Sequence, residues 1–438
     1  MRVFGHYVLR SRVRLFLAEQ AAVSVLFLAA IVISGTSGPK ALVLAACCAL
    51  LIQLPLYLAD LYEPAEMFPE ARWLVAAGIG SLFVTFLWQK IGPGASGELL
   101  AASLLSLLIV VMLREIALTR PRRAIVLGSG GTARAVGSIR ESLVDCSIIG
   151  YLAGTETEGT GPTPTPVLLD RGDVDAVAER MGADLIVVAV EGPLPDEALA
   201  RARSSGIEVV SAAGFASRYA RRIPVELLAP SELAFGEGFA AARFADLLQR
   251  VLDICASVTL LILAGPVLLV AMLAVRLDSP GPVFYHQERV GRRGRTYLIT
   301  KLRSMRSDAE SNGLPVWAAT NDSRVTRIGR FLRKTRIDEL PQVFAVLRGD
   351  MSIVGPRPER PFFVEQLKAS IPLYGLREIV KPGVTGWAQI RYPYGSTVED
   401  AKRKLEYDLY YIRHRSFFLN LTILFHTART VLTGRGAR

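Results

Sequence analysis

Four apolar stretches crowd the first third of the chain, at about residues 15–33, 41–59, 73–88 and 99–113. Each approaches the roughly 20 residues that cross a bilayer. A chain with this pattern cannot bury all of its apolar surface in one water-soluble globule, and its 51% of hydrophobic residues says the same. No cleavage-type boundary follows the first stretch, so a removed signal peptide does not explain it. Arg2, Arg10, Arg12 and Arg14 precede the first stretch; Arg114, Arg120, Arg122 and Arg123 follow the fourth. About four crossings put both basic ends on one side, and the positive-inside rule makes that side cytoplasmic. The expectation is a helical membrane domain over residues 1–120, with the third stretch the weakest span.

A fifth run, "VLDICASVTLLILAGPVLLVAMLAV" from Val251, differs because both of its flanks are basic. Arg243 and Arg250 lie before it, and Arg276, Arg289, Arg292 and Arg293 after it. A crossing would put one basic flank outside, against the charge rule. Gly265 and Pro266 lie near its middle, where proline removes a backbone bond and bends a helix. The expectation is a re-entrant helix over 251–276 that enters the bilayer and returns, the alternative being a kinked span.

Between these regions, residues 121–240 read as a Rossmann-like α/β domain. Strand-like runs "AIVL", "SIIGYLAG", "ADLIVVAV" and "GIEVVSA" alternate with helix-like stretches, and "TETEGTGPTPTP" reads as a loop. Gly128, Gly130 and Gly131 fall in a GxGxxA turn after the first strand, the spacing of a nucleotide loop. The acidic residue that such a site wants about 20 positions on is missing, since the sequence there reads Ile149-Gly150-Tyr151-Leu152. A vestigial nucleotide loop or a purely structural turn follows.

The last domain, residues 241–438, turns polar and cationic from Asp278, and the whole chain carries a net charge of +11. That balance suits an anionic membrane face or a phosphorylated substrate. Aromatics do not interleave with the basic stretches and no nucleic-acid motif occurs, so no nucleic-acid partner is expected. Cys47, Cys48, Cys146 and Cys255 show neither metal nor disulfide spacing. In "KTRIDELPQVFAVLRGD", Leu340, Val343, Phe344 and Leu347 recur with helical period after Asp338 and Glu339. The two carboxylates therefore fall at a helix start, where negative charge is favoured. The plain reading is a helix cap, with Thr335 and Asp338 as a capping box. The chemical reading starts from the arginines around the pair, whose guanidinium forks match phosphate oxygens. A carboxylate can attack phosphorus, and its neighbour can help hold Mg²⁺ against substrate phosphates.

"SPGPVFYHQERVG", "KLRSM", "DELPQ", "GDMSIVGPRPERP" and "KPGVTGWAQIR" follow one another over roughly residues 245–438. In this order they resemble the bacterial polyprenyl-phosphate sugar-1-phosphate transferases. The layout of membrane segments, Rossmann-like domain and α+β catalytic domain anchored by a re-entrant helix is similar to the long-form members. The tail from Arg391 is similar to the exosortase (PEP-CTERM) associated ones. The resemblance implies transfer of a hexose-1-phosphate from a UDP-sugar to undecaprenyl phosphate with release of UMP and a requirement for Mg²⁺. It implies Asp338 as nucleophile, Glu339 as the residue assisting the metal, and Lys301 and Arg333 near the phosphates. Pro356, Arg357 and Pro358 match a proline–arginine loop, Gln287 and Arg289 lie in a further motif, and Arg303 is a candidate for substrate binding. The family setting is the bacterial inner membrane, with the catalytic domain on the cytoplasmic face in contact with lipid, in exopolysaccharide biosynthesis; the middle domain is compatible with a homodimer. The chain departs from the family pattern at Ala345, usually Asn, and at Arg336, often Ser. Two rivals remain: a non-catalytic scaffold for polysaccharide assembly, and an NAD-dependent nucleotide-sugar enzyme centred on Gly128. The second lacks both a Tyr-x-x-x-Lys pair and the ribose acid.

Overall fold

The structure is a computed structural model. It describes residues 2–3, 6–7, 10–33, 42–49, most of 101–112, 121–128, 130–143, 146–153, 166–168, 174–190, 192, 194–228, 243–306 and 324–433 without 393, 394 and 396. It divides into two compact units, Met1–Ala220 and Arg221–Arg438. In the first unit α1 spans Arg10–Ile33 and covers the first apolar stretch. Residues 42–49 are helical, whereas the third apolar stretch lies outside the described residues and the second and fourth are described only in part.

The middle of the first unit is a five-stranded parallel sheet. Its elements are β1 (Arg122–Leu127), α2 (Gly131–Ser138), β2 (Cys146–Ala153), β3 (Pro166–Leu168), α3 (Val174–Arg180), β4 (Leu185–Val188), α4 (Asp196–Ser204) and β5 (Glu208–Ser211). The spatial order is β3-β2-β1-β4-β5, so the order in which strands are added reverses between β1 and β4 as in a doubly wound nucleotide fold. All four expected strands are present. The added β3 lies at the end of the Pro-rich loop, and its first residue, Pro166, sits on an edge strand where a missing N–H is tolerated. Ile125, Leu127, Leu152 and Ile186 form the sheet's core with Val174, Val177 and Ala202 of the helices.

The second unit opens with Arg221–Leu228 and continues with α5, an uninterrupted helix over Arg243–Asp278 that carries Pro266 inside it. Among the described residues, its Asp246–Asp278 portion is the one helix long and apolar enough to cross a membrane. Two strands follow, β6 (Phe284–Val290) and β7 (Thr296–Leu302), paired as an antiparallel hairpin with Tyr285 opposite Lys301. Next come α6 (Arg327–Thr335), a 3₁₀ turn over Ile337–Gln342, and α7 (Val343–Arg348). Then β8 (Ser352–Val354), α8 (Pro361–Ser370), β9 (Gly383–Thr385), α9 (Trp387–Arg391), α10 (Val398–His414) and α11 (Phe417–Thr433) complete the unit.

Both ends of α5 are held by this one unit. Near the start, Asp253 Oδ1 accepts from Ser352 Oγ at 2.8 Å and from the Ile353 N–H at 2.9 Å. Toward the other end, Leu268, Ala271 and Val275 pack against Leu302 and Leu332. Between them Ile262, Leu263 and Val267 are exposed. An apolar surface of this kind is stable only against lipid or another apolar partner.

The parallel pair β8–β9 sets the loop after β8. Gly355 N–H donates to Thr385 O and Gly383 N–H to Pro356 O, both at 2.8 Å. A Cβ at Gly383 would sit 2.1 Å from Gly355 N. Backbone cannot yield as a side chain does, so Gly383→Ala is expected to destabilise the unit by roughly 3 kcal/mol or more. Thermal unfolding of the purified protein in detergent checks this, and an unchanged Tm would mean that the two strands separate without penalty.

Ahead of α5, Arg221–Leu228 is built into the surface of α9 and α10. Arg222 Nη1 reaches Glu406 Oε2 at 2.8 Å with both side chains buried. Ile223 N–H donates to Glu406 O at 3.0 Å, and Trp387 Nε1–H donates to Arg221 O at 3.0 Å. Ile223, Val225, Leu227 and Leu228 are buried beside them.

Candidate active site

The site begins with a break in the chain. α6 ends at Thr335, and Arg336 takes the left-handed conformation at φ 60° before the 3₁₀ turn starts. That conformation costs a non-glycine residue about 1 kcal/mol. It turns the chain so that Asp338 and Glu339 fall in the first turn of the new helix. The expected capping box is absent. Thr335 Oγ donates backwards, to Phe331 O at 2.9 Å and Leu332 O at 3.2 Å, because it closes the preceding helix instead of opening the next.

The adjacent carboxylates have opposite surroundings. Glu339 Oε1 accepts from Lys301 Nζ on β7 and from Arg357 Nη2 on the loop after β8, each at 2.8 Å. Burial alone would push Glu339 up, but the charges and hydrogen bonds of Arg357 and Lys301 outweigh it and hold the carboxyl well below its usual range. Asp338 is only 7% exposed, and its Oδ1 has no hydrogen-bond partner. Burial, and then the Glu339 charge, push Asp338 up to about 6, against the lowering influence of Lys301, Arg333 and Arg336. Lys301 is itself lowered, by burial first, with Glu339 opposing. Neighbouring carboxyls driven apart in this way are suited to different chemical roles.

Of the residues expected from sequence, Asp338, Glu339, Lys301 and Arg357 converge, and Arg333 stands beside them with its Nε donating to Ser304 Oγ at 2.8 Å. Gln287 and Arg289 hold the loop that carries Arg357. Arg289 Nη1 donates to Pro358 O at 2.9 Å, its Nη2 donates to Gln287 Oε1, and the Val290 N–H donates to Glu359 O at 3.0 Å. Pro356 and Pro358 shape that loop, and the Pro356 carbonyl ties it to Gly383. Arg303 is engaged elsewhere. Its guanidinium donates to Ser279 O at 2.6 Å and Pro280 O at 2.8 Å, just past the last carbonyls of α5, where a cation is favoured. Ala345 is buried on α7, and its carbonyl accepts from the Gly349, Asp350 and Met351 N–H groups.

Sequence reasoning missed Arg377. Its Nη2 donates to the Arg357 carbonyl at 2.8 Å while its Nε donates to buried Asp408 Oδ2 at 2.8 Å and its Nη1 donates to Tyr374 OH at 2.5 Å. No local pattern announces this residue, because its partners lie on another loop and on α10. The glycine turn of the first unit has a packing role. Gly128 has φ 136°, and a Cβ there would lie 2.3 Å from Ala189 O, so the missing side chain lets the ends of β1 and β4 meet.

Residues 244–434, which contain every element of this site, match the family described as bacterial sugar transferase. The chain is 40% identical over 196 residues to the uncharacterized sugar transferase EpsL of Bacillus subtilis (strain 168), covering 43% of this chain and 90% of that protein. The chain belongs to the bacterial sugar transferase family. It is also 40% identical over 272 residues to a UDP-N-acetylgalactosamine-undecaprenyl-phosphate N-acetylgalactosaminephosphotransferase of Aeromonas hydrophila. That match covers 62% of this chain and 63% of the relative. A UDP-glucose:undecaprenyl-phosphate glucose-1-phosphate transferase of Escherichia coli (strain K12) is 46% identical over 183 residues, 41% of this chain and 39% of the relative. The chain thus spans less than two thirds of both of these proteins.

Proposed function

We propose that this sugar transferase moves a hexose-1-phosphate from a UDP-sugar to undecaprenyl phosphate, releasing UMP, as the first step of exopolysaccharide assembly. The observation that carries the reading is the buried, unpartnered Oδ1 of Asp338 beside a Glu339 already neutralised by Lys301 and Arg357. In the first half-reaction an Asp338 oxygen attacks the phosphorus that bears the sugar. A P–O bond forms, the bond to UMP breaks, and UMP leaves with the electron pair. In the second, the phosphate oxygen of undecaprenyl phosphate attacks the same phosphorus and Asp338 leaves as a carboxylate. Lys301, Arg357 and Arg333 supply positive charge close to the transferred phosphoryl oxygens, preorganised in a site with little water.

The dyad also fits Mg²⁺ of the kind held by one or two carboxylates together with substrate phosphates, since Asp338 offers a buried oxygen without a partner and Glu339 stands next to it. Glu339 would hold that ion with the diphosphate, and the ion would supply charge neutralisation there.

The lipid acceptor and the nucleotide donor meet at the inner membrane. An α5 held at both ends by one unit, with basic residues on both flanks, suits a helix that enters from the cytoplasmic face and returns to it. The exosortase-like tail supports an exopolysaccharide setting.

Purified full-length protein in detergent, with undecaprenyl phosphate, Mg²⁺ and a panel of UDP-sugars, tests the proposal by UMP release. One donor class should give UMP and a sugar-diphosphate lipid, and chelation with EDTA should stop both. No UMP from any donor would favour the scaffold reading.

A further inference from the structure

A second cationic site lies in the catalytic unit, away from the dyad. A cavity of about 110 Å³ opens beneath the first turns of α5, lined by Asp246, Arg250, Asp253, Arg292, Lys381 and Arg415 among others. That volume holds several waters or one phosphate group. Asp246 takes two of the cations, Arg292 at 3.2 Å and Arg415 at 2.6 Å. Arg250 is committed to the end of α7, donating to Val346 O at 2.7 Å and Leu347 O at 2.6 Å. Asp253 accepts from Ser352, from the Ile353 N–H and from Gln249. Lys381 alone among these cations makes no hydrogen bond or ion pair with the described residues. Its Nζ and the Arg250 guanidinium both lie within 3.9 Å of the point that a side chain at Gly349 would occupy. Two cations facing one point, half removed from water, favour an anion there. Burial, Arg250 and Arg292 lower the Lys381 pKa, with Asp253 and Asp246 opposing them.

The neighbouring surface indicates which anion. Leu247, Val251 and Ile254 are exposed on the same turns of α5 that line the cavity, and Phe417, Phe418 and Leu421 are exposed on the first turns of α11. The two helices are joined by the Asn420–Gln249 hydrogen bond, and Gln249 lines the cavity. A soluble phosphate has no use for such apolar neighbours, whereas a phospholipid matches both the charge and the apolar surface. Basic pockets beside membrane helices take anionic headgroups in this manner. We propose that this cavity receives the phosphate of an anionic phospholipid, with Lys381 as its ion-pair partner and the acyl chains lying along the exposed side chains of α5 and α11. The site is separate from the acceptor phosphate at Asp338 and does not rest on the proposed reaction.

Full-length protein in dodecyl maltoside, titrated with dioctanoyl phosphatidylglycerol, dioctanoyl phosphatidylcholine or inorganic phosphate, tests this through the unfolding Tm. Phosphatidylglycerol should raise Tm saturably and phosphatidylcholine should not. Lys381→Ala should weaken that response about tenfold, the loss of one charge-assisted contact, and Lys381→Arg should keep it. Because Lys381 has no partner to lose, the ligand-free Tm of Lys381→Ala should not fall below wild type. Equal responses to the two lipids, or an unaltered response in Lys381→Ala, would overturn the proposal. A full response to inorganic phosphate alone would overturn the lipid assignment and leave a soluble-phosphate site.

Discussion

Asp338→Asn is expected to lose transfer activity by about 10⁴-fold or more while making the protein more stable. The loss follows from chemistry: an amide oxygen neither attacks phosphorus at a useful rate nor leaves as an anion, and removal of a nucleophile typically has an effect of this size. The gain follows from burial. Asp338 has a carboxyl pushed up to about 6 and an oxygen with no partner, so the folded state holds its proton more tightly than the unfolded chain does. Stability therefore falls as pH rises from the unfolded value of about 4 through 6, and the full penalty, at most roughly 3 kcal/mol, is present at pH 8. The amide has no such penalty. Melting curves at pH 5 and pH 8 should show an advantage for the variant at both, larger at the higher pH. The same shift predicts that wild-type activity falls as pH drops through about 6, where the proposed nucleophile, Asp338, becomes protonated. A variant that still releases UMP at the wild-type rate would remove Asp338 from the chemistry.

Lys301→Ala should lower kcat by about 10²- to 10³-fold at pH 7, the effect of deleting one preorganised electrostatic partner. Two consequences of the contact network separate this from simple damage. Glu339 would keep only Arg357 on Oε1, and Asp338 would lose one of the cations that oppose its upward shift. The acidic limb of the rate profile should then move to higher pH, and raising the pH should recover part of the loss. Lys301→Arg should keep the limb near its wild-type place. If the alanine variant loses activity uniformly across pH, Lys301 acts only on the bound diphosphate and not on the nucleophile.

The dyad was legible because its parts are short-range: Asp338, Glu339 and the arginines before them share one stretch, and Lys301 and Arg357 sit in compact motifs. The middle sheet was legible from its alternating apolar strands, with only edge strand β3 hidden behind prolines. What sequence concealed is where each charge goes. Arg303 reads like another phosphate ligand, yet its donors end on carbonyls just past α5. Arg377, which the sequence does not single out, binds the carbonyl of Arg357 and a buried aspartate on α10. Guanidinium side chains look alike in a sequence, and only the three-dimensional path of the backbone assigns their partners. The left-handed Arg336 was hidden for a related reason, since nothing in its chemistry favours that conformation and surrounding structure imposes it.

The short segment Arg221–Leu228 bears on where a minimal catalytic fragment can start. Cutting at the family-matched boundary, residue 244, would strip Arg222 from Glu406 and leave a buried carboxylate with only Arg403 as a cation near it. It would also uncover the Trp387 indole N–H and open an apolar strip where Ile223 and Val225 had lain. A fragment beginning at Arg221 keeps those contacts, so the eight residues Arg221–Leu228 are expected to separate a folded catalytic fragment from an aggregating one.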